Sequence, residues 1–175
     1  MSIIIINANL SAESSTQSLS EIVYTEIKKE DAGSSLISLH ELPIPVCDGR
    51  ESFGNENVKK LTDLMAKATG IVLASPIYNY TINSALKSLI EHCGSAFSNK
   101  TVGFICTAGG EKSYMSLMPT INSLMLDFRC IILPRFLYVI SSNFNSDKSI
   151  TDPDICNRIT QFAKEMNHLT SCIRK

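Results

Sequence analysis

The chain has 175 residues, of which 44% are hydrophobic and 19% are charged, and its formal net charge is −1. This composition excludes a disordered chain, and the length predicts one domain, residues 1–175, with a sizeable core. The balanced charge excludes nucleic acid as a partner, and no apolar run reaches the roughly 20 residues that span a bilayer. The six cysteines form no Cys-x-x-Cys pair or zinc pattern, and we see no secretion signal, so we expect a reduced, cytoplasmic protein without a metal.

Short apolar runs alternate with segments of helical periodicity along the chain. The runs predict strands at 3–6, 35–39, 70–74 and 101–106, and a fifth strand at 130–133 and 136–140 that is broken at Pro134 and Arg135. The periodic segments predict helices at 16–29, 56–69, 82–92, 112–127 and 153–170. We expect Gly94 to cap the third helix, and Asp152 and Pro153 to begin the last one.

This alternation predicts an α/β fold made of right-handed βαβ units, with a parallel sheet covered on both faces. Five strands and five helices in this length fit a flavodoxin-like three-layer αβα sandwich with strand order 2-1-3-4-5. In this order the loops after strands one, three and four meet at the carboxyl edge of the sheet, where the direction of winding reverses. We therefore expect a ligand site at that edge.

The loop after the third strand is the most informative segment. Residues 74–87 read Ala-Ser-Pro-Ile-Tyr-Asn-Tyr-Thr-Ile-Asn-Ser-Ala-Leu-Lys. Pro76 is expected to fix a turn, and the backbone of 77–80 can reach the polar edge of a flat ring that Tyr78 or Tyr80 covers. This pattern favours an isoalloxazine ligand; the alternative is an ordinary strand-to-helix loop with surface tyrosines.

The loop after the first strand is rich in hydroxyl and amide side chains and leads into a helix. Small hydroxyl groups donate to phosphate oxygens, and the unpaired amides and dipole at a helix start favour an anion. Residues 7–17 contain no lysine or arginine. They therefore suit the phosphate of a tightly held FMN better than a mobile triphosphate, which needs a lysine and Mg²⁺. The alternative is that Ser14 or Thr16 only caps the helix.

The loop after the fourth strand reads Thr-Ala-Gly-Gly at 107–110, which lets the backbone approach a ring closely; the alternative is a plain turn into a helix. We expect Cys106 in the core and Lys87 on the surface. The sequence contains no Walker motif and no Gly-x-Gly-x-x-Gly, which excludes a P-loop and a dinucleotide Rossmann site. No Ser/His/Asp or paired-carboxylate arrangement is evident, so we assign no catalytic side chain and leave the chemistry to the flavin.

Taken together, these segments resemble the NAD(P)H-dependent FMN reductases of flavodoxin-like fold, a group that includes quinone, azo-dye and chromate reductases. The resemblance covers essentially the whole chain. Its most specific part is the Pro-x-Tyr loop at 75–80 followed by Ser-Ala-Leu-Lys at 84–87, and Leu42-Pro43 and the Pro134-Arg135 break support it. The sequence departs from the family pattern at Ala8-Asn9, at Ser11, where the family often has arginine, and at Tyr80, where it commonly has glycine.

The resemblance implies that the first loop holds the FMN phosphate and that the isoalloxazine lies between the other two loops. The implied phosphate contacts are Asn9, Ser11, Ser14, Ser15, Thr16 and Gln17. The implied flavin contacts are Pro76, Ile77, Tyr78, Asn79, Tyr80, Thr107, Gly109 and Gly110. The resemblance also implies a homodimer or homotetramer with the flavin near the interface.

The expected function is that of an FMN-dependent NAD(P)H oxidoreductase. A hydride passes from the nicotinamide to flavin N5, and two electrons then go to a quinone-like, azo or free-flavin acceptor in ping-pong order. One alternative is a non-catalytic flavin electron carrier or redox-regulated binding protein, against which the net charge of −1 argues, because flavodoxin-type carriers are strongly acidic. A third possibility is a domain that has lost flavin and acts through protein contacts.

Overall fold

The computed structural model describes residues 2–173. Its strands are β1 (Ile3–Asn7), β2 (Ser35–Ser38), β3 (Gly70–Tyr78), β4 (Thr81–Ile82), β5 (Thr101–Ala108), β6 (Ile131–Ile132) and β7 (Leu137–Ile140). Its α-helices are α1 (Ser15–Lys28), α2 (Glu56–Lys67), α3 (Ser84–Cys93), α4 (Met118–Phe128) and α5 (Pro153–Ile173). Short 3-10 helices lie at Glu51–Gly54, Gly94–Phe97, Glu111–Leu117 and Ser141–Asn143.

The sheet follows the order β2-β1-β3-β5-β6, with β7 also paired to β5 and all of these strands parallel. Because β6 and β7 are the two parts of the interrupted fifth strand, the predicted order 2-1-3-4-5 is confirmed. The sheet has seven strands rather than the predicted five for two reasons. The last strand splits at 133–136, and β3 runs past its predicted end and folds back on the antiparallel β4.

The central strand β1 shows how both helical layers are held. All five of its residues are buried, and side chains alternate along a strand, so Ile4 and Ile6 lie on one face and Ile3 and Ile5 on the other. The first pair joins an apolar cluster with α2, α3 and α4, and the second pair joins one with α1 and α5. Each fully buried isoleucine contributes about 1.5–3 kcal/mol. The sheet is therefore covered on both faces, as predicted.

Two features around α3 and α4 differ from the prediction: the reason for the glycine after α3, and the residue at which α4 begins. Gly94 does follow α3, but its φ of −49° is right-handed. A Cβ at this position would lie 2.6 Å from Phe128 Cζ, so the glycine serves a close approach rather than a left-handed cap. The helix predicted at 112–127 begins as the 3-10 helix Glu111–Leu117, and the α-helix starts only at Met118, with Pro119 in its first turn.

The C-terminal helix α5 begins as predicted, because Asp152 Oδ1 accepts a hydrogen bond of 2.9 Å from the Asp154 amide. It is 21 residues long and amphipathic, with buried residues such as Ile159 and Phe162 along one side. Across residues 2–173, every helix is too short or too polar to cross a membrane.

Candidate functional site

Hydrogen bonds tie together the three loops at the carboxyl edge of the sheet. These are the first loop (residues 8–14), the hairpin (residues 75–82) and the third loop (residues 107–110). The hydroxyls of Thr16 and Thr107 lie 2.6 Å apart, which connects the start of α1 to the third loop. Asn83 Nδ2 donates to the Ala8 carbonyl at 2.7 Å, which connects the first loop to the end of the hairpin. The predicted convergence of the three loops is therefore present.

Two asparagines give the first loop its shape. The Asn9 amide donates to Asn7 Oδ1, and the Ser11 amide donates to Asn9 Oδ1, each at 3.0 Å. Asn9 Nδ2 donates to Thr16 Oγ1 at 3.1 Å. Such side-chain contacts to nearby amides mimic backbone turns and fix the chain locally. Asn9 and Thr16, both predicted to contact a phosphate, are buried and already bonded inside the loop.

The start of α1 presents a group of hydrogen-bond donors without partners. Ser14 caps the helix, because its Oγ accepts from the Gln17 amide at 3.1 Å. The backbone amides of residues 12–16 donate no hydrogen bond to any described residue. Ser11 is exposed, and Ser14 and Ser15 are half-buried. Amides and small hydroxyls at a helix start are the donor set that a phosphate needs.

Gln17 has a different role from the one predicted for its side chain. Its Oε1 accepts from Asn7 Nδ2 at 2.5 Å, and its Nε2 donates to Glu21 Oε1 at 2.7 Å. Both ends of the amide are therefore engaged within the chain. Gln17 is half-buried, as Ser14 and Ser15 are, but its side-chain amide is occupied. Of the six predicted phosphate contacts, Ser11, Ser14 and Ser15 therefore have the side chains that remain available to a ligand.

The hairpin replaces the simple loop that the sequence predicted after the third strand. Ile77 pairs with Ile82 and Tyr78 with Thr81, which leaves Asn79 and Tyr80 as a two-residue turn. Their φ angles are +50° and +63°, and two left-handed central residues define a type I′ turn. The prediction that Pro76 fixes the turn is wrong, because Pro76 lies inside β3 and pairs with Thr107.

The turn exposes two aromatic rings at the site. Pro76 and Ile77 are buried, whereas Tyr78 and Tyr80 are 56% and 55% exposed. The predicted hairpin contacts therefore divide into two buried residues that offer backbone and three exposed ones, Tyr78, Asn79 and Tyr80, that offer side chains. Asparagine adopts positive φ readily, but tyrosine does so at a cost.

We predict that Tyr80→Gly raises the free energy of unfolding by about 0.5–1 kcal/mol, since glycine relieves the left-handed strain but loses more chain entropy on folding. The change can be measured from the urea midpoint at constant slope. Tyr80→Ala is the matched control, because it removes the ring and keeps a Cβ. Equal stability of the two variants would contradict the strain explanation.

The third loop offers open backbone. Gly109 has no positive φ, and Gly110 is extended at −168°. A Cβ at either position would meet no atom within 4 Å, and neither amide donates a hydrogen bond among residues 2–173. Tyr138 Oη donates to the Gly110 carbonyl at 2.6 Å and so connects the third loop to β7. The glycines leave space and free donors where a ring is expected, although no unusual backbone angle requires them.

Sequence reasoning missed two residues that shape the site. Asn83 caps α3, since its Oδ1 accepts from the Leu86 amide at 3.2 Å. The Asn-Ser-Ala-Leu order is a recognisable N-cap pattern, but the bond to Ala8 lies 75 positions away in sequence. Lys148 Nζ donates to the Glu13 carbonyl, 135 positions away, and no local sequence pattern predicts that contact. It brings a cation to the otherwise cation-free first loop.

Other reactive side chains near the sheet edge have structural roles. Complete burial raises the pKa of the Cys106 thiol far above its usual range, so this cysteine is a core residue, as expected. Lys87 is exposed and forms an ion pair with Glu91 at 2.8 Å. Within the described part of the chain, no three His, Cys, Asp or Glu residues are grouped closely enough to hold a metal ion.

The open parallel sheet, the donor-rich start of α1 and the exposed hairpin define an α/β protein that presents unpaired donors and accessible aromatic rings at one sheet edge. The profile of the family described as NADPH-dependent FMN reductase matches residues 1–144. The chain belongs to this family. The predicted oxidoreductase class, and the predicted use of FMN and a nicotinamide nucleotide, are thereby confirmed at the level of the family.

Individual relatives agree with this assignment. The chain is 28% identical over 155 residues to an NAD(P)H-dependent FAD/FMN reductase of Geobacillus thermodenitrificans (strain NG80-2), covering 86% of this chain and 84% of the relative. It is 30% identical over 101 residues to an NADPH azoreductase of Bacillus sp. (strain OY1-2), covering 57% and 56%. The structure of the flavoenzyme NAD(P)H:(acceptor) oxidoreductase FerB from Paracoccus denitrificans superimposes with a TM-score of 0.79 at 16% identity, covering 98% and 97%. The flavodoxin-like fold is confirmed.

Proposed function

We propose that this chain is an FMN-dependent NAD(P)H oxidoreductase that reduces a quinone-like, azo or free-flavin acceptor, and that residues 1–175 act as one domain. The observation that carries the proposal is the set of unpartnered amides at residues 12–16. They lie at the same sheet edge as the open Gly109-Gly110 backbone, to which the 2.6 Å bond between Thr16 and Thr107 connects them. Phosphate donors and an open backbone at one sheet edge suit the phosphate and the ring of FMN.

The residues present fit that cofactor. The amides of 12–16 and the hydroxyls of Ser11, Ser14 and Ser15 would hold the phosphate. Tyr78 and Tyr80 would cover the ring, and the amides of Gly109 and Gly110 would stabilise negative charge at its polar edge. When bound there, FMN would supply hydride and two-electron transfer chemistry. Asn7, Asn9, Thr16 and Asn83 would act one step back, by keeping the loops in position.

The surface of α4 supports an oligomer. Met115, Met118, Met125 and Leu126 are between 36% and 81% exposed on and beside this helix. Clustered exposed apolar side chains are typical of protein interfaces. We propose that this face forms the contact of a homodimer or homotetramer.

The six cysteines are all unpaired, which supports a reducing, cytoplasmic compartment.

The proposal is tested by recording the visible spectrum of the purified chain with and without added FMN. NADPH or NADH is then added under anaerobic conditions, followed by 1,4-benzoquinone. We expect flavin bands that bleach with the nucleotide and recover with the quinone. Bound flavin that neither nucleotide bleaches would favour an electron carrier instead. A chain that binds no flavin would overturn the proposed function while leaving the fold intact.

Tyr78→Ala should weaken FMN binding by about tenfold, since removal of a stacked aromatic ring costs on the order of 1–1.5 kcal/mol. Quenching of flavin fluorescence on titration measures the affinity. Tyr78→Phe keeps the ring face and should bind nearly as tightly as the parent chain. If Tyr78→Ala left the affinity unchanged, this tyrosine would have no contact with the ring.

Lys148→Asn should weaken FMN binding by about three- to tenfold, because a part-exposed cation near a phosphate contributes on the order of 1 kcal/mol. The φ of Lys148 is +63°. Asparagine tolerates that angle, so the variant removes the charge without adding backbone strain. Riboflavin, which lacks the phosphate, should bind both chains equally. Equal losses for FMN and riboflavin would show that the lysine only shapes the loop.

A further inference from the structure

A second cleft lies outside the proposed flavin site, between β7, the 3-10 helix Glu111–Leu117 and α5. Its volume is about 470 Å³, within the range of small-molecule sites. It lies beside the interruption of the fifth strand, so Arg135 and Phe136 reach its wall from the break. The mechanism proposed above uses none of its residues.

One wall of this cleft is aromatic. Tyr114 stacks on Phe136, with ring centroids 4.8 Å apart and planes at 30°, and meets the edge of Tyr138 at 5.5 Å. Phe136 and Tyr138 are each 7% exposed, whereas Tyr114 is 45% exposed. Because two buried rings support Tyr114 and leave much of it accessible, it offers a fixed platform for another flat ring.

The cleft also contains two arginines without ion-pair partners. Arg135 and Arg158 both line the cleft and are exposed, and neither guanidinium forms an ion pair or hydrogen bond within residues 2–173. The acid in the cleft, Glu165, accepts instead from Gln161 Nε2 at 2.8 Å. Guanidinium groups bind phosphate in a forked, charge-assisted geometry. The lining therefore suits a planar ring that carries a phosphate.

The cleft continues toward the third loop. An adjoining cleft of about 380 Å³ shares Tyr114 and Arg158 with the first and adds Glu111 and Ile140. A further one shares Glu111 and Ile140 and reaches Gly110 and Lys112. The row of clefts thus runs from Gly110 to Arg135, and its charged lining consists of Lys112, Arg135, Arg158, Glu111 and Glu165.

We propose that this row of clefts binds the adenosine end of the nicotinamide nucleotide, with the adenine on Tyr114 and the 2′-phosphate at Arg135 and Arg158. The assignment rests on the proposed function, because a flavin beside Gly110 sets where the nicotinamide end must lie. A 2′-phosphate distinguishes NADPH from NADH, so the two arginines make the chain selective for NADPH. NADH has a 2′-hydroxyl in place of the phosphate, so the two arginines do not strengthen its binding.

The first test is calorimetric titration of the FMN-supplemented chain with 2′,5′-ADP and with 5′-AMP. We expect saturable 2′,5′-ADP binding that falls at least about tenfold in the Arg135→Gln/Arg158→Gln variant, while 5′-AMP binding changes little. Tyr114→Ser should weaken both nucleotides. Arg50→Gln, which changes an exposed arginine elsewhere, is the control and should leave all affinities unchanged.

The second test is the ratio of kcat/KM for NADPH to that for NADH, which should fall about tenfold in the double variant through the NADPH term alone. Unchanged 2′,5′-ADP affinity in the double variant, or reduction by NADPH with no change in that ratio, would overturn the assignment. Failure of the proposed function is a separate result. If neither nucleotide bleached the flavin but 2′,5′-ADP still bound through the arginines, the cleft would stand and the reductase would not.

Discussion

Replacing Asn83 with alanine should lower the free energy of unfolding by about 2–4 kcal/mol, which is large for one polar side chain. Asn83 is buried, and its side chain makes three hydrogen bonds, one of which Oδ1 accepts from Ser75 Oγ at 3.2 Å. Its Oδ1 caps α3 through the Leu86 amide, and loss of a cap costs about 1 kcal/mol. Its Nδ2 donates to the carbonyl of fully buried Ala8, and an orphaned buried carbonyl costs a further 1–3 kcal/mol or so.

The same variant should weaken FMN binding by about tenfold, because the first loop loses its link to the hairpin side of the site. Asn55→Ala is the matched control. Asn55 caps α2 through the amides of Asn57 and Val58 and is exposed, so its loss should cost only the cap, about 1 kcal/mol, and leave FMN affinity unchanged. Urea unfolding and flavin titration of both variants measure the two effects. If Asn83→Ala and Asn55→Ala lowered the free energy of unfolding equally, the hydrogen bond to Ala8 would contribute nothing to stability.

The parts of the fold that the sequence predicted are those governed by local pattern. The run of four isoleucines in β1 is buried because it has no polar interruption. The Pro134-Arg135 pair predicted the break in the last strand, since proline donates no ladder hydrogen bond. Strand order followed from the alternation of strands and helices together with the handedness of βαβ units.

The hairpin at 75–82 was not predictable in the same way. A type I′ turn is usually announced by Asn-Gly, and here Tyr80 stands at the second position with a positive φ. Pro76 also pointed to a turn three residues too early, because its position on the open side of β3 depends on β1 ending its pairing at Ala74. Both errors come from tertiary context that overrides local preference.

In the candidate site, too, local sequence predicted some features and tertiary contacts decided the others. Composition of the first loop predicted its hydroxyl donors, and Ser11, Ser14 and Ser15 are accessible. Composition could not show that Thr16 and Gln17 bond within the chain, since their partners depend on how β1 and β5 are aligned with α1. Residues of a donor-rich loop thus serve two purposes, ligand contact and loop geometry, and only the folded arrangement separates them.

The contact between Lys148 and Glu13 changes the electrostatic interpretation of the first loop. From sequence alone, a phosphate there rests on neutral donors and the helix dipole. With a lysine brought in from the segment before α5, one positive charge lies beside the start of α1. A single cation still leaves a dianionic phosphate undercompensated, so the site should be sensitive to any negative charge added at the helix start.

Ser14→Asp tests that sensitivity and should reduce FMN affinity by about 30- to 150-fold. A carboxylate about 5 Å from a phosphate dianion, at an effective dielectric constant of roughly 50, costs on the order of 2–3 kcal/mol. The fold should not suffer, because aspartate caps a helix as well as serine and interacts favourably with the dipole. The free energy of unfolding of the flavin-free chain should therefore stay level or rise.

Ser14→Asn provides the matched control, since it has the shape of aspartate and its capping ability without the charge. It should bind FMN within about threefold of the parent chain. Riboflavin should bind the parent, Ser14→Asp and Ser14→Asn chains alike, because the repulsion acts on the phosphate alone. If the aspartate and asparagine variants lost FMN equally, crowding rather than charge would be responsible. If Ser14→Asp held FMN as tightly as the parent, the phosphate would have to lie away from the start of α1.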